Sequence, residues 1–237
     1  MPDHMERLRF QNAPLMAYGA LFSWDTALNG LQDLRLRAWC AVAERHQLPP
    51  PDMDDVVRTS GLRPELALAR FLWDPNEDWP RCQSLAYEYA ESLGQFLSTN
   101  DWEPVDGIAD FLKLLRKYSV PCLLSSPFDE HITKSALESA ALDGLFDQFI
   151  TSEDGCESVD QAFLLGCVKL KRPPMRVVAF VDEPRDVIQA LDATLKVVAV
   201  YGKYPAYDMR PADAKIGTFS GLTVMDIKEF FRNEDPR

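Results

Sequence analysis

Histidine, paired cysteine and positive charge are all scarce in this 237-residue sequence, and each shortage excludes a class of function. The three histidines, His4, His46 and His131, are dispersed, which argues against a histidine-built metal cluster. The five cysteines (Cys40, Cys82, Cys122, Cys156, Cys167) are odd in number and show neither CxxC nor Cys/His ligand spacing. That pattern speaks against a disulfide framework or a zinc site and for a reducing compartment. Lys and Arg total 25 against 37 Asp and Glu, a net charge of −12 with a pI near 4.7. A nucleic-acid binder needs the opposite balance, and so does a protein held on anionic lipid. Apolar runs such as Val177–Val181 and Val197–Tyr201 fall far short of the about 20 residues a spanning helix requires. Met1–Leu15 holds no apolar core of a signal peptide.

What is present is an ordinary globular composition, 46% hydrophobic and 26% charged. Ala17–Trp24, Val120–Ser125, Arg176–Val181 and Lys196–Tyr201 are short apolar runs bounded by polar residues, and Phe146–Thr151 is a weaker fifth. Such near-continuous runs mark strands buried on both faces. Helical spacing lies between them, as at Ile108, Phe111, Leu112 and Leu115, or Phe163, Leu164, Cys167 and Leu170. The alternation predicts an α/β fold with a doubly wound parallel sheet. About Thr223–Phe231 reads as a last helix.

The alternation breaks after the first strand, where some eighty residues carry helical periodicity and no convincing strand. Leu34–Ala43, Glu65–Leu72 and Arg81–Leu97 suggest three helices, punctuated by Pro49-Pro50-Pro51 and Asp74-Pro75. The expected organisation is a core of residues 1–29 and 104–237 with a helical cap of residues 30–103. An insertion at that place would sit over the carboxyl edge of the sheet, where open α/β proteins bind ligands. Trp73, Trp79 and Trp102 read as cap core, with an exposed aromatic patch for a protein partner as the alternative. The basic Arg7-Leu8-Arg9-Phe10 is a candidate docking arm.

Function in such a fold gathers at strand ends. The first strand ends Ser23-Trp24-Asp25-Thr26, the second Leu124-Ser125-Ser126-Pro127, and the fourth Val181-Asp182-Glu183-Pro184-Arg185-Asp186. Hydroxyls and carboxylates converging there suit a hard cation such as Mg²⁺. A dinucleotide site would need a glycine-rich turn after the first strand, and Phe22–Leu28 contains no glycine. A receiver domain would not carry a large helical insertion at this point.

These motifs, in this order, resemble the haloacid dehalogenase-like superfamily, and in particular its β-phosphoglucomutase-like and small sugar-phosphate phosphatase branch. The resemblance implies an Asp-x-Asp first motif, in which the first Asp is the nucleophile and the second handles the proton. Here Ser23 holds the nucleophile's position, Asp25 is the second Asp, and Thr26 replaces the following Gly. Ser125 matches the phosphate-binding hydroxyl. The family's lysine falls on Glu157. Asp182 and Asp186 match the acidic metal motif, giving Asp25, Asp182 and Asp186 as expected Mg²⁺ ligands. Arg63, beside Gly61, and Ser126 are candidate substrate contacts.

Two of the four catalytic elements are thus replaced. A serine hydroxyl cannot form an aspartyl-phosphate, and it is essentially un-ionised without a dedicated base. A glutamate in place of the lysine repels phosphate where the lysine attracts it. Each such interaction is worth roughly 4 kcal/mol at about 4 Å and an effective dielectric near 20. The expectation is a degenerate member serving a binding, scaffold or regulatory role with a protein partner. The alternative is an active Mg²⁺-dependent hydrolase of a small phosphorylated metabolite. Lys203-Tyr204-Pro205-Ala206-Tyr207 and Tyr18–Trp24 resemble a plant plastid-type group of the same superfamily, which points to plastid stroma or cytoplasm.

Overall fold

A computed structural model describes residues 17–60, 62–73, 78–156 and 158–231. Glu157, Gly61 and the Arg7–Phe10 arm lie outside the described residues. The chain divides into two compact units, Met1–Asn29 with Trp102–Arg237, and Gly30–Asp101.

The first unit is built on six parallel strands in the order β5-β4-β1-β6-β7-β8. They are β1 (Gly19–Ser23), β4 (Cys122–Ser125), β5 (Gln148–Ile150), β6 (Val177–Val181), β7 (Lys196–Val200) and β8 (Ala214–Ile216). The five apolar runs of the sequence all become strands, each a little shorter than its run. Trp24 leaves the first strand to open a one-turn helix, α1 (Trp24–Ala27). Two pairings escape the sequence pattern. β8 is an edge strand of three residues, none of them fully buried, so it has no apolar run to reveal it. Leu28–Asn29 (β2) and Glu103–Pro104 (β3) form a two-residue antiparallel ladder, too short for any periodicity.

Parallel neighbours need crossover helices, and these cover both faces. They are α6 (Ile108–Lys117), α7 (Glu130–Ser139), α8 (Val159–Lys169) and α9 (Pro184–Asp192), with α10 (Val224–Phe230) near the end. Alternation along β1 sends successive side chains to opposite faces. Leu21, paired with Leu123 and Ala179, joins a buried cluster with Phe163 and Cys167 of α8 and Val187 of α9. Phe22 instead stacks on its register partner Phe180, with centroids 4.6 Å apart and an interplanar angle of 7°. Phe111 of α6 and Phe219 pack around that pair. Burying side chains of this size is worth about 1.5–3 kcal/mol each, so both faces hold the central strands. Gly166 lets α8 approach the sheet, since a Cβ there would lie 2.6 Å from Leu21 Cδ1.

The second unit is helical. It contains α2 (Leu31–His46), α3 (Met53–Thr59), α4 (Pro64–Ala67) running into a π-helical turn at Leu68–Leu72, and α5 (Trp79–Thr99). Trp39 stacks on Tyr89 at 3.8 Å within a core that includes Val42, Leu68 and Leu85. α3 is a helix that apolar spacing does not show, because a capping box defines its start. The Asp52 carboxylate accepts from Asp55 N–H while the Asp55 carboxylate accepts from Asp52 N–H. The tryptophans divide. Trp73 meets Trp39 edge-on in the helical core, Trp79 is exposed, and Trp102 is buried against Trp24 in the α/β unit. No helix among the described residues is long and apolar enough to cross a membrane.

Candidate active site

The strand order places β1 between β4 and β6, with the chain running outward from β1 first one way and then the other. The gap at the carboxyl ends of β1 and β6 is the topological switch point of the sheet, where ligand sites form in open α/β folds. Ser23 ends β1, and Asp182 follows directly on β6. The Ser23 hydroxyl donates to Asp182 Oδ1 across this gap at 3.0 Å. Thr26 stabilises the turn after β1, its hydroxyl donating to the Ser23 carbonyl at 2.7 Å, and it is fully buried. That bond accounts locally for a threonine where the resemblance implies glycine.

The turn carries Asp25 toward the strand-six end. Carboxylate oxygens of Asp25, Asp182 and Glu183 lie within 4.8 Å of one another, a set that could hold a metal ion. Asp186 is not part of this trio. It stands in the first turn of α9, where burial and the charges of Glu183 and Asp182 push its carboxyl up to about 7. Asp182 is also raised, to about 6, chiefly by burial and then by Asp25, against the opposing pull of Lys203.

Lys203 is the residue that strand-end reading missed. Its Nζ donates to Glu183 Oε1 at 2.8 Å, Asp25 Oδ2 at 3.2 Å and Asp182 Oδ2 at 3.3 Å. The lysine is half-buried, and that burial alone would lower its affinity for a proton. The three carboxylates outweigh that and hold the ammonium above the ordinary lysine range. Three carboxylates against one ammonium leave two net negative charges here. The signal was available: Lys203 lies just past the end of β7, at the same edge of the sheet as the motifs of β1 and β6.

The other sequence-predicted residues have separate placements. Ser125 ends β4 directly beside Ser23 in register and is half-buried. Ser126 is buried, and its hydroxyl accepts from Phe128 N–H at 3.1 Å and from the Thr133 hydroxyl at 2.7 Å. Those bonds shape the loop after β4. Arg63 is exposed and precedes α4 in the helical unit. Lys134 pairs with Glu130 at 2.6 Å on the surface of α7. Lys169 is bound to Asp154 and the Phe149 carbonyl.

Residues 21–200 match the family model described as haloacid dehalogenase-like hydrolase. A chloroplastic 5-amino-6-(5-phospho-D-ribitylamino)uracil phosphatase of Arabidopsis thaliana is 24% identical over 215 residues, covering 89% of this chain. The chain spans 57% of that relative's length. Among solved structures, a family IA variant 3 HAD hydrolase from Entamoeba histolytica superposes with a TM-score of 0.76 at 17% identity, covering 91% of this chain and all of that one. A β-phosphoglucomutase from Clostridium difficile gives a TM-score of 0.74 at 15% identity, over 90% of this chain and 96% of its own. These superpositions establish a shared fold. The family match over residues 21–200 makes this chain a member of the haloacid dehalogenase-like hydrolase family.

Proposed function

We propose that this protein is a catalytically degenerate member of its family that uses the retained fold for binding, as a scaffold or regulator, rather than for phosphate hydrolysis. The observation that carries this reading is Ser23, a hydroxyl where the family resemblance implies the nucleophilic carboxylate. Its hydroxyl proton is directed at Asp182. A hydroxyl cannot form the acyl phosphate that a carboxylate nucleophile forms. The net negative trio around it opposes a phosphate dianion, consistent with the replacement of the family lysine by Glu157. A protein partner in the plastid stroma or cytoplasm fits this reading, the plastid being suggested by the relative's chloroplastic name.

A second reading is favoured by one contact. Ser23 and Asp182 stand at the separation of a nucleophile and its base, 3.0 Å. An active hydrolase of a small phosphorylated metabolite would use that pair, or a water held by Asp25 and Asp182. If it also used Mg²⁺, Lys203 would have to withdraw from the carboxylates.

Turnover separates the two readings. Hydrolysis of an aryl phosphate and a panel of sugar phosphates should be undetectable for the wild type. The double variant Ser23→Asp with Glu157→Lys restores both implied groups and should gain activity. Wild-type turnover abolished by Ser23→Ala would overturn the degenerate reading.

A further inference from the structure

The family reaction implies a divalent cation at the acidic strand ends, so the fit of the residues present to such an ion can be tested directly. Mg²⁺ takes six oxygen ligands in near-octahedral array at about 2.0–2.1 Å. What stands among the carboxylates here is an ammonium. Lysine has three donors and no acceptor. The three acceptors around Lys203 Nζ are one oxygen each from Asp25, Asp182 and Glu183, at 2.8 to 3.3 Å. Donors and acceptors match one to one, and the side chain is only 14% exposed.

The approach of the lysine is built into the backbone. β7 ends at Val200, and the chain turns at Gly202, whose φ of +152° is open to glycine and disfavoured for L side chains. The turn is closed by the Gly202 N–H donating to the Tyr204 carbonyl at 3.3 Å. The ring of Tyr204 lies 5.5 Å from the ammonium. A divalent ion entering the trio would meet a fixed like charge and would strip the ammonium of all three partners while burying it. With the Lys203 ammonium in place, the trio therefore does not fit a metal.

We infer that Lys203 is a tethered cation that permanently takes the place of the divalent ion, making the acidic site of this protein metal-independent. A covalently attached charge is present at any metal concentration, so the carboxylates are neutralised as the chain folds. Metal exclusion rests on this cation geometry and not on the loss of turnover, so either can fail alone.

The test uses the full chain, stripped with EDTA, and Mn²⁺ as a paramagnetic probe read by EPR, with Mg²⁺ as competitor. The wild type should leave Mn²⁺ free, and its Tm should not respond to Mg²⁺ or EDTA. Lys203→Met vacates the cation's place. It should bind one Mn²⁺ at least about tenfold more tightly than the wild type, displaceable by Mg²⁺, with a Tm that rises with metal concentration. Lys203→Gln is the second variant, since it keeps a hydrogen-bond donor if Lys203→Met fails to fold. Stoichiometric, Mg²⁺-displaceable Mn²⁺ binding by the wild type would overturn the inference, and that measurement needs no variant. A folded variant as silent toward Mn²⁺ as the wild type would overturn it as well. Aryl phosphate hydrolysis measured on the same samples keeps the outcomes apart: metal-free turnover would refute degeneracy and leave the tethered cation standing.

Discussion

Phe22 and Phe180 are register partners on β1 and β6 with stacked rings, one residue before Ser23 and two before Asp182 along their strands. Phe111 and Phe219 pack around the same pair. Removing one ring of the stack should weaken fold and site together. Phe180→Ala is expected to destabilise by about 3–5 kcal/mol, the range for emptying an aromatic core position. Urea denaturation followed by circular dichroism measures it. A loss under about 1 kcal/mol would mean that the stack contributes little.

The contact between α8 and the sheet predicts a penalty of the opposite kind. A side chain larger than hydrogen at 166 runs into Leu21, so Gly166→Val should cost about 1–3 kcal/mol or more by overpacking, even though it adds apolar surface. A variant as stable as the wild type would show that Leu21 can move aside at no cost.

Stability should also depend on pH, with a definite sign. Burial first, then Glu183 and Asp182, raise the Asp186 carboxyl to about 7, above the roughly 3.9 of an unfolded aspartate. Between these values the folded state binds the proton that the unfolded state releases. The contribution is therefore full below about pH 4 and is lost as pH rises through 7. Asp182 acts in the same sense up to about pH 6. Asp186→Asn should leave stability near pH 4 unchanged and raise it at pH 8, by on the order of 1–3 kcal/mol after allowing for solvent reaching this half-buried group. Thermal unfolding across this range gives the slope, and an undiminished slope in the variant would place the effect elsewhere.

Thiol chemistry is ordered by burial. All five cysteines are free, with Cys82, Cys122 and Cys167 buried and Cys40 and Cys156 half-buried. Burial pushes the Cys167 thiol up to about 11, and the Cys122 thiol is raised further, with Asp147 adding to burial. Native alkylation near pH 7.5 followed by peptide mass spectrometry should label Cys40 and Cys156 first, all slowly, with the other three appearing only on unfolding. Early labelling of Cys122 would contradict the closed core around β4.

Most of the fold was legible because its signals are local. Apolar runs such as Val177–Val181 and helical stripes such as Ile108–Leu115 carry their periodicity within a few residues. β8 and α3 were not legible in that way. One is an edge strand with no buried run, and the other begins at a carboxylate capping box rather than an apolar face. Ser23, Asp25 and Asp182 could be placed at one sheet edge from sequence, since strand ends in a parallel sheet share that edge.

The sequence by itself determined the alternating strands and helices, the serine that closes the first strand and the surplus of acid at the strand ends. Only the tertiary structure decided which acids meet. Glu183 joins the trio in place of Asp186, and Lys203, 20 residues beyond Glu183 in sequence, supplies the charge among them. The reason is geometric. Periodicity reports which face of an element is buried, whereas the convergence of an ammonium on three carboxylates depends on the turn after β7 and on distances between separate strands.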